Sequence, residues 1–401
     1  MNPRIVTAAS GRRDNYQVPI ALAEANLLER HITDQYLPDA LLPFIPALGS
    51  LGHKLVRRHS GQLPSAQVYC SRRLALKQAT AALVPILRSR FQSDQDPISW
   101  SALRLAKQHQ SALLLYAGYA FKAFTAEPLT ARWRGLIQYH PHIRDSAVIL
   151  RNDTARFPFL QDALVQLHQD EQDQTNLPEL KIADLIICNS SFTASTCVSL
   201  GISADKVQVI PYGIDPPPPA PPLQRQDKRC QFLFVGSGIQ RKGLHHLLLA
   251  WKQAALRHSK LTIVSRSIDP QIAANVDPGN NVEILQGVDH QLLDTLYRCS
   301  DVFVLPSLIE GFGYVYLEAM VRGCFCIGTT NTGLPDIATT SSAQVLPAGD
   351  LEQLTQALQQ AEDRHASGQF NRDEIASVAT ARPWQRFRQE LVATVRHHLL
   401  G

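Results

Sequence analysis

Short runs of β-branched and other apolar residues recur along the chain, each followed by a dozen or more residues whose apolar positions fall at helical spacing. In the first half these runs are RIVTAA, QVYCS, ALLLYAG, GLIQYH and ADLIICNS; in the second they are QFLFVG, LTIVS, VEILQG, DVFVLPS and CFCIGTT. Continuous apolar strands with amphipathic helices between them predict parallel sheets covered on both faces. Between the halves lies PYGIDPPPPAPPL (211–223), whose prolines continue neither a helix nor an internal strand and favour an extended connection. The pattern predicts two doubly wound, Rossmann-like α/β domains at 1–215 and 228–380. A proline-rich linker at 216–227 joins them, and a last helix at 381–401 packs back on the first domain. Sheets of this kind bind ligands beyond the carboxyl ends of their strands, so two of them facing each other make a cleft lined by strand-to-helix loops.

The bulk properties fit this picture. A chain of 401 residues and 44.5 kDa is the size of two ordinary cores, and 45% hydrophobic with 18% charged residues is a globular composition. No apolar run approaches the roughly 18 residues of a membrane span, and the N-terminal one is too short for a signal peptide, so a cytoplasmic protein is expected. The seven cysteines are odd in number and sit in apolar runs, as buried reduced thiols do. Cys324 and Cys326 alternate along a strand without a second ligand pair at metal-site spacing, so they read as core. The net charge of +4 is too mild to suggest nucleic acid, but it is unevenly spread. Residues 1–144 carry roughly ten more Lys/Arg than Asp/Glu, with clusters at Lys54, Arg57, Arg58, Arg72, Arg73, Arg88 and Arg90 interleaved with apolar residues. That is suited to an anionic acceptor or a peripheral contact with an anionic membrane, or to nothing more than solvation.

The most informative run is DVFVLPSLIEGFGYVYLEAMVRG (301–323). A buried strand ends at Pro306, a loop carries Glu310, Gly311 and Gly313, and a helix opening near Gly313 carries Glu318. Glycines at a helix start let a bound group approach free backbone N–H groups, where the helix dipole favours phosphate. Eight residues at helical rise span about 12 Å, comparable with the separation of sugar and ribose in a nucleotide sugar. A carboxylate at each end and amides between them suit such a ligand. In FLFVGSGIQRKGLHHLLLAW (232–251) a strand, a loop with Gly236 and then Lys242 precede another helix. A lysine at this turn can neutralise charge developing on a leaving diphosphate.

These segments resemble the retaining GT-B enzymes of glycosyltransferase family 4 (glycosyl transferases group 1), whose motif has the form E-G-F-G-x-x-x-x-E-A-M-x-x-G. The resemblance is strong over 183–335 and weak before 130. It implies a two-domain GT-B fold and transfer of a hexosyl or related group from a UDP-, GDP- or ADP-sugar to a hydroxyl, with retention of configuration; a glycan, a lipid-linked or an anionic molecule are the acceptors left open. By resemblance Glu310 contacts the transferred sugar, Glu318 the ribose hydroxyls, the Phe312 and Gly313 amides the sugar or diphosphate, and Lys242 the diphosphate. The family usually has Arg directly after the first glycine, where this chain has Ser237; Arg241 and Arg266 are the nearby replacements. Gly11, in the loop after the first strand with Arg12 and Arg13, stands where the family approaches the donor phosphates. Of the two histidines in LIQYHPH, His140 is the preferred match to the family histidine that reaches the donor sugar. Ser190 and Ser191, in the family-like run 183–215, read first as helix caps. No Asp-x-Asp pair follows a strand, so neither metal nor cofactor is expected. A nucleotide-sugar 2-epimerase of the same fold and a degenerate sugar- or nucleotide-binding scaffold are the alternatives.

Overall fold

The computed structural model describes residues 3–48, 55–70, 96–126, 133–162, 164, 176–218 and 227–400. Lys54, Arg72, Arg73, Arg88, Arg90 and linker residues 219–226 lie outside them. The N-terminal half contains β1 (Ile5–Ala8), β2 (Leu28–Thr33), β3 (Val68–Cys70), β4 (Ala112–Tyr116), β5 (Arg134–Gln138), β6 (Leu185–Cys188) and β7 (Val207–Val209), in the spatial order β3-β2-β1-β4-β5-β6-β7. The C-terminal half contains β8 (Cys230–Val235), β9 (Ser259–Val264), β10 (Val282–Leu285), β11 (Val302–Val304), β12 (Phe325–Thr329) and β13 (Ala343–Leu346), in the order β10-β9-β8-β11-β12-β13. Every pairing in both sheets is parallel. Two doubly wound Rossmann-like domains are what the hydrophobic pattern predicts. The central strands β4, β6, β11 and β12 are buried at every position, as sheets covered by helices on both faces require.

Three strands depart from the sequence expectation. β2 reads LERHIT, with two polar residues half-buried and His31 buried beside Thr7, so its period is masked. β7 and β13 are short edge strands with half-polar faces, and the hydrophobic signal that marks central strands is absent from them.

In each sheet the winding reverses between two neighbours, β1 and β4 in the first and β8 and β11 in the second. At such a switch point the following loops diverge to opposite faces and leave a crevice. The loops after β8 and β11 carry Lys242 and Glu310; the loop after β1 carries Gly11 and Arg13.

The chain crosses between the halves at two adjacent places. Ile214 N donates to Arg382 O (2.9 Å), and Arg382 donates to Pro211 O from Nε (2.9 Å) and Nη2 (2.6 Å). Gly213 is forced by this approach, since a Cβ there would lie 2.6 Å from the Pro383 carbonyl carbon. The final helix, Trp384–Leu400, runs along the helix Gln17–Glu24, with Arg388 bonded to Glu24 (2.9 Å) and Gln17 (2.7 Å). Among the described residues no helix is long and apolar enough to cross a membrane.

Candidate active site

β11 ends in an apolar stretch that turns at Pro306, and the next loop is buried throughout, including Glu310 at 8% exposure. A buried carboxylate needs partners. Lys242 supplies an ion pair, and Arg241 lies 3.4 Å from the same oxygen, Oε2. Burial pushes the Glu310 carboxyl up, but Lys242 and Arg241 outweigh it and the net shift is downward. Lys242 is shifted down from the ordinary lysine value, first by desolvation, with Glu310 opposing and Arg241 assisting. The three side chains form a compact charged cluster at the carboxyl ends of β8 and β11.

Glycines set the backbone around it. Gly243, φ +68°, follows the turn Gln240–Lys242 and presses on the carbonyl of Pro306, where a side chain would collide. Gly313 has φ +80°, and an added Cβ would meet the Tyr316 ring at 2.7 Å. The helix then runs from Val315 to Met320 and places half-buried Glu318 in its first turn, where Tyr297 Oη donates to Oε2 (3.1 Å). Burial raises the Glu318 carboxyl above its ordinary value, with Tyr297 and Arg322 opposing. Phe312 is buried beneath Tyr212, ring centroids 5.0 Å apart.

The N-terminal half closes over this loop. A Cβ on Gly311 would strike the Tyr139 carbonyl oxygen and lie 3.3 Å from His140 Nδ1. Ser190 is a helix N-cap that accepts from Thr193 N (3.0 Å), while its hydroxyl donates to Gly311 O (2.5 Å). Ser191 hydrogen bonds Asp336 through its backbone N–H (2.9 Å) and its hydroxyl. The capping expectation holds for Ser190; the contact of both serines with the second domain is a feature the sequence did not signal. His140 opens onto the cleft. Loss of water lowers its pKa, Glu310 opposes, Arg241, Arg13 and Lys242 reinforce, and it falls to about 4. His142 instead caps the helix Ile143–Arg156 and is buried.

Arg13 joins the group from the loop after β1. Its guanidinium lies 4.1 Å above the Tyr139 ring, and its buried Nε finds no hydrogen-bond acceptor among the described residues. The loop is strained: Asp14, Asn15 and Tyr16 all have positive φ, at 47°, 52° and 63°. Gly11, φ +71°, donates its N–H to Asp34 Oδ1 (2.7 Å) and faces Arg58. Gly236 and Arg266 lie at the paired ends of β8 and β9, with Gly236 N donating to Val264 O (3.0 Å); Arg266 is exposed. The structure thus gathers His140, Arg241, Lys242, Glu310, Gly311 and Arg13, sets Phe312, Gly313 and Glu318 along the adjoining loop and helix, and leaves Gly11, Gly236 and Arg266 at the strand ends nearby.

Residues 229–363 match the model of the glycosyl transferases group 1 family. These residues form a glycosyl transferases group 1 domain. An uncharacterized glycosyltransferase of Methanocaldococcus jannaschii is 29% identical over 170 residues, which are 38% of this chain and 44% of that protein, so the match spans less than half of the relative's length. Among solved structures, sucrose-phosphate synthase of Thermosynechococcus elongatus superposes over the whole of both chains with a TM-score of 0.61 at 16% identity. Anabaena HepE in complex with UDP-glucose gives 0.57 at 16% identity over 99% and 100% of the two chains. The fold shared over the full length is GT-B.

Two triads of possible metal ligands converge among the described residues: Asp153 with His245 and His246, and Cys230 with Asp301 and His365. Neither contains a residue of the charged cluster. Cys324 and Cys326 are buried in and beside β12.

Proposed function

We propose that this chain is a retaining, metal-independent hexosyltransferase of the glycosyltransferase family 4 type, moving a sugar from a nucleotide sugar to a hydroxyl acceptor. The observation that carries the reading is the meeting of Lys242, Arg241 and Glu310 at the β8/β11 switch point, under the loop that presents His140. Lys242 and Arg241 take the diphosphate and neutralise its developing charge, which leaves Glu310 free for the sugar. Arg241, beside Glu310, fills the part of the usual arginine that Ser237 does not supply. Glu318 takes the ribose hydroxyls, and the Phe312 and Gly313 amides meet the sugar or diphosphate. Neutral His140 donates or accepts a hydrogen bond at a sugar hydroxyl without adding charge. No enzymic nucleophile is assigned; departure and attack occur on one face, with the leaving phosphate accepting the acceptor's proton. UDP-glucose bound to the structural neighbour HepE supports a nucleotide-sugar donor, and the similarity to glycosyltransferases favours transfer over epimerisation.

A peripheral membrane contact for the N-terminal half is supported by Leu41, Phe44 and Val56, all exposed, with exposed Arg57 next to the last. It belongs to the inner face of the membrane in a cytoplasmic protein, with binding to anionic vesicles falling steeply as salt rises.

Nucleoside diphosphates screened by thermal shift identify the base, because a ligand selective for the folded state raises Tm. The matching nucleotide sugar then releases its diphosphate slowly to water and faster to an acceptor, and the product keeps the donor's anomeric configuration by NMR. A donor that binds without any release of nucleoside diphosphate would leave a scaffold; an inverted product would remove retention.

A further inference from the structure

The helix Ile143–Arg156 begins three residues after His140, and its 14 residues extend about 21 Å from there. Its far end meets the other half of the molecule at the start of the helix Leu244–Ala254. There the Asp153 side chain, 5% exposed, is held by residues flanking Lys242. His245 Nε2 lies 3.0 Å from Oδ2, His246 Nε2 lies 2.6 Å from Oδ1, and Gln240 Nε2 donates to Oδ2 at 2.9 Å. An ionised carboxylate only accepts, so both histidines donate through Nε2. The same Gln240 nitrogen lies 3.1 Å from Leu150 O and 2.9 Å from Thr154 Oγ1, which share its second hydrogen, and the Phe157 ring meets both imidazoles edge-on at 5.0 and 5.1 Å.

Asp153 thereby fixes the segment on both sides of Lys242: Gln240 two residues before it and His245 and His246 three and four residues after. The opposite side of the same turn is blocked by Gly243 against Pro306. A carboxylate at this end of the 11-residue helix also suits the helix dipole. Among the described residues no other side chain hydrogen bonds across the domain boundary to so many residues of that turn.

We propose that Asp153 is a positioning residue: from the N-terminal domain it holds the Gln240–His246 segment so that Lys242 stays in register with Glu310. The assignment rests on the donor-site reading only for its effect on ligand binding; the placement of Lys242 can be measured without a ligand. Each domain then carries part of the donor site, and Lys242 is set correctly only while the helix Ile143–Arg156 is docked.

Trace acetylation with acetic anhydride, read by peptide mass spectrometry, reports the accessibility of Lys242 against Lys260 on β9 as a reference. Asp153→Asn keeps the shape but not the charge; it and Gln240→Ala are expected to raise labelling of Lys242 about fivefold while Lys260 stays unchanged. Unchanged Lys242 labelling overturns the proposal, and so does an equal rise at Lys260, which reports general loosening. Calorimetry with UDP, GDP and ADP gives the functional arm. Asp153→Asn should weaken the preferred nucleotide about tenfold, or about 1.4 kcal/mol, in the native background and hardly at all in Lys242→Ala, since residues acting through one another are non-additive. An equal loss in both backgrounds overturns the coupling. If the unaltered protein binds none of the three, the donor reading fails while labelling still decides Asp153. Should EDTA reproduce the effect of Asp153→Asn on the unaltered protein, the three side chains are metal ligands and the strut assignment falls.

Discussion

The two faces of the cleft hold their charges in opposite ways. On the C-terminal face Glu310 is paired with Lys242 and flanked by Arg241, and Glu318 is bonded by Tyr297. On the N-terminal face Arg13 rests on an aromatic ring beside Asp14, with no acceptor for its Nε among the described residues, and His140 faces Glu310 together with Arg241, Arg13 and Lys242. A face whose charges are already paired is organised before anything binds, so little is lost in ordering it, and in the proposed reaction Lys242 and Arg241 exchange Glu310 for the diphosphate. A face whose cation rests on an aromatic ring, with the Asp14 carboxylate beside it, keeps part of its hydrogen-bonding capacity for an incoming anion. Under the proposed function, the contrast gives the donor chemistry to the C-terminal domain and the acceptor to the N-terminal one.

The sharpest way to break this contrast is Glu310→Ala, expected to slow donor turnover about 30- to 1000-fold, equivalent to roughly 2–4 kcal/mol, with the fold intact by circular dichroism. Full activity would strip the C-terminal face of its central group. Next comes the acid response of the N-terminal domain. His31, buried beside Thr7, has its pKa pushed down by burial to about 3, with Asp34 opposing. Because the folded value lies below that of the unfolded chain, this stabilisation is complete above about pH 6.5 and drains away toward pH 3, at up to about 1.4 kcal/mol per pH unit. Denaturant titrations at pH 7 and pH 5 should differ by about 2 kcal/mol from this group, and His31→Gln should flatten the slope. An unchanged slope means that the histidine does not set it.

Glu318→Ala is expected to raise the donor KM about tenfold, near 1.4 kcal/mol, with a smaller change in kcat; an unaltered donor KM removes the ribose role. Arg13→Ala tests the other face, and it should raise the KM of an anionic acceptor about three- to tenfold while the donor KM stays put. If both move together, the faces do not divide the work. Chelation is expected to do least: EDTA should leave turnover unchanged, and loss that Mg²⁺ or Mn²⁺ restores would place a metal where the cations now stand.

The fold was legible wherever burial is two-sided. β4, β6, β11 and β12 are apolar at nearly every position and stand out in the sequence, while β2, with Glu29 and Arg30 facing partly outward, and the edge strands β7 and β13 carry no comparable period. Site residues followed a similar rule. Glu310, Lys242 and Glu318 lie in local motifs whose spacing survives without the fold. Asp153 could not be read in that way, because its partners lie 87–93 residues away and only docking brings them together. Gly311 is intermediate: its motif was visible, but the reason for a glycine, the carbonyl of Tyr139 against it, comes from the other domain. Ser191, read as a cap, meets Asp336 across the same boundary.

The paired crossings at Gly213 and Pro383 carry a topological consequence. The segment after Pro383 belongs by contact to the first domain, since Trp384 and Phe387 pack around Tyr212 and Arg388 binds Glu24 and Gln17. The second domain is therefore an insertion, entered and left at adjacent points of the chain, Gly213 and Pro383. A single protease cut within 216–227 severs only one tether. The fragments should elute as one particle from a sizing column, because the C-terminal piece still has its last helix laid along the N-terminal one.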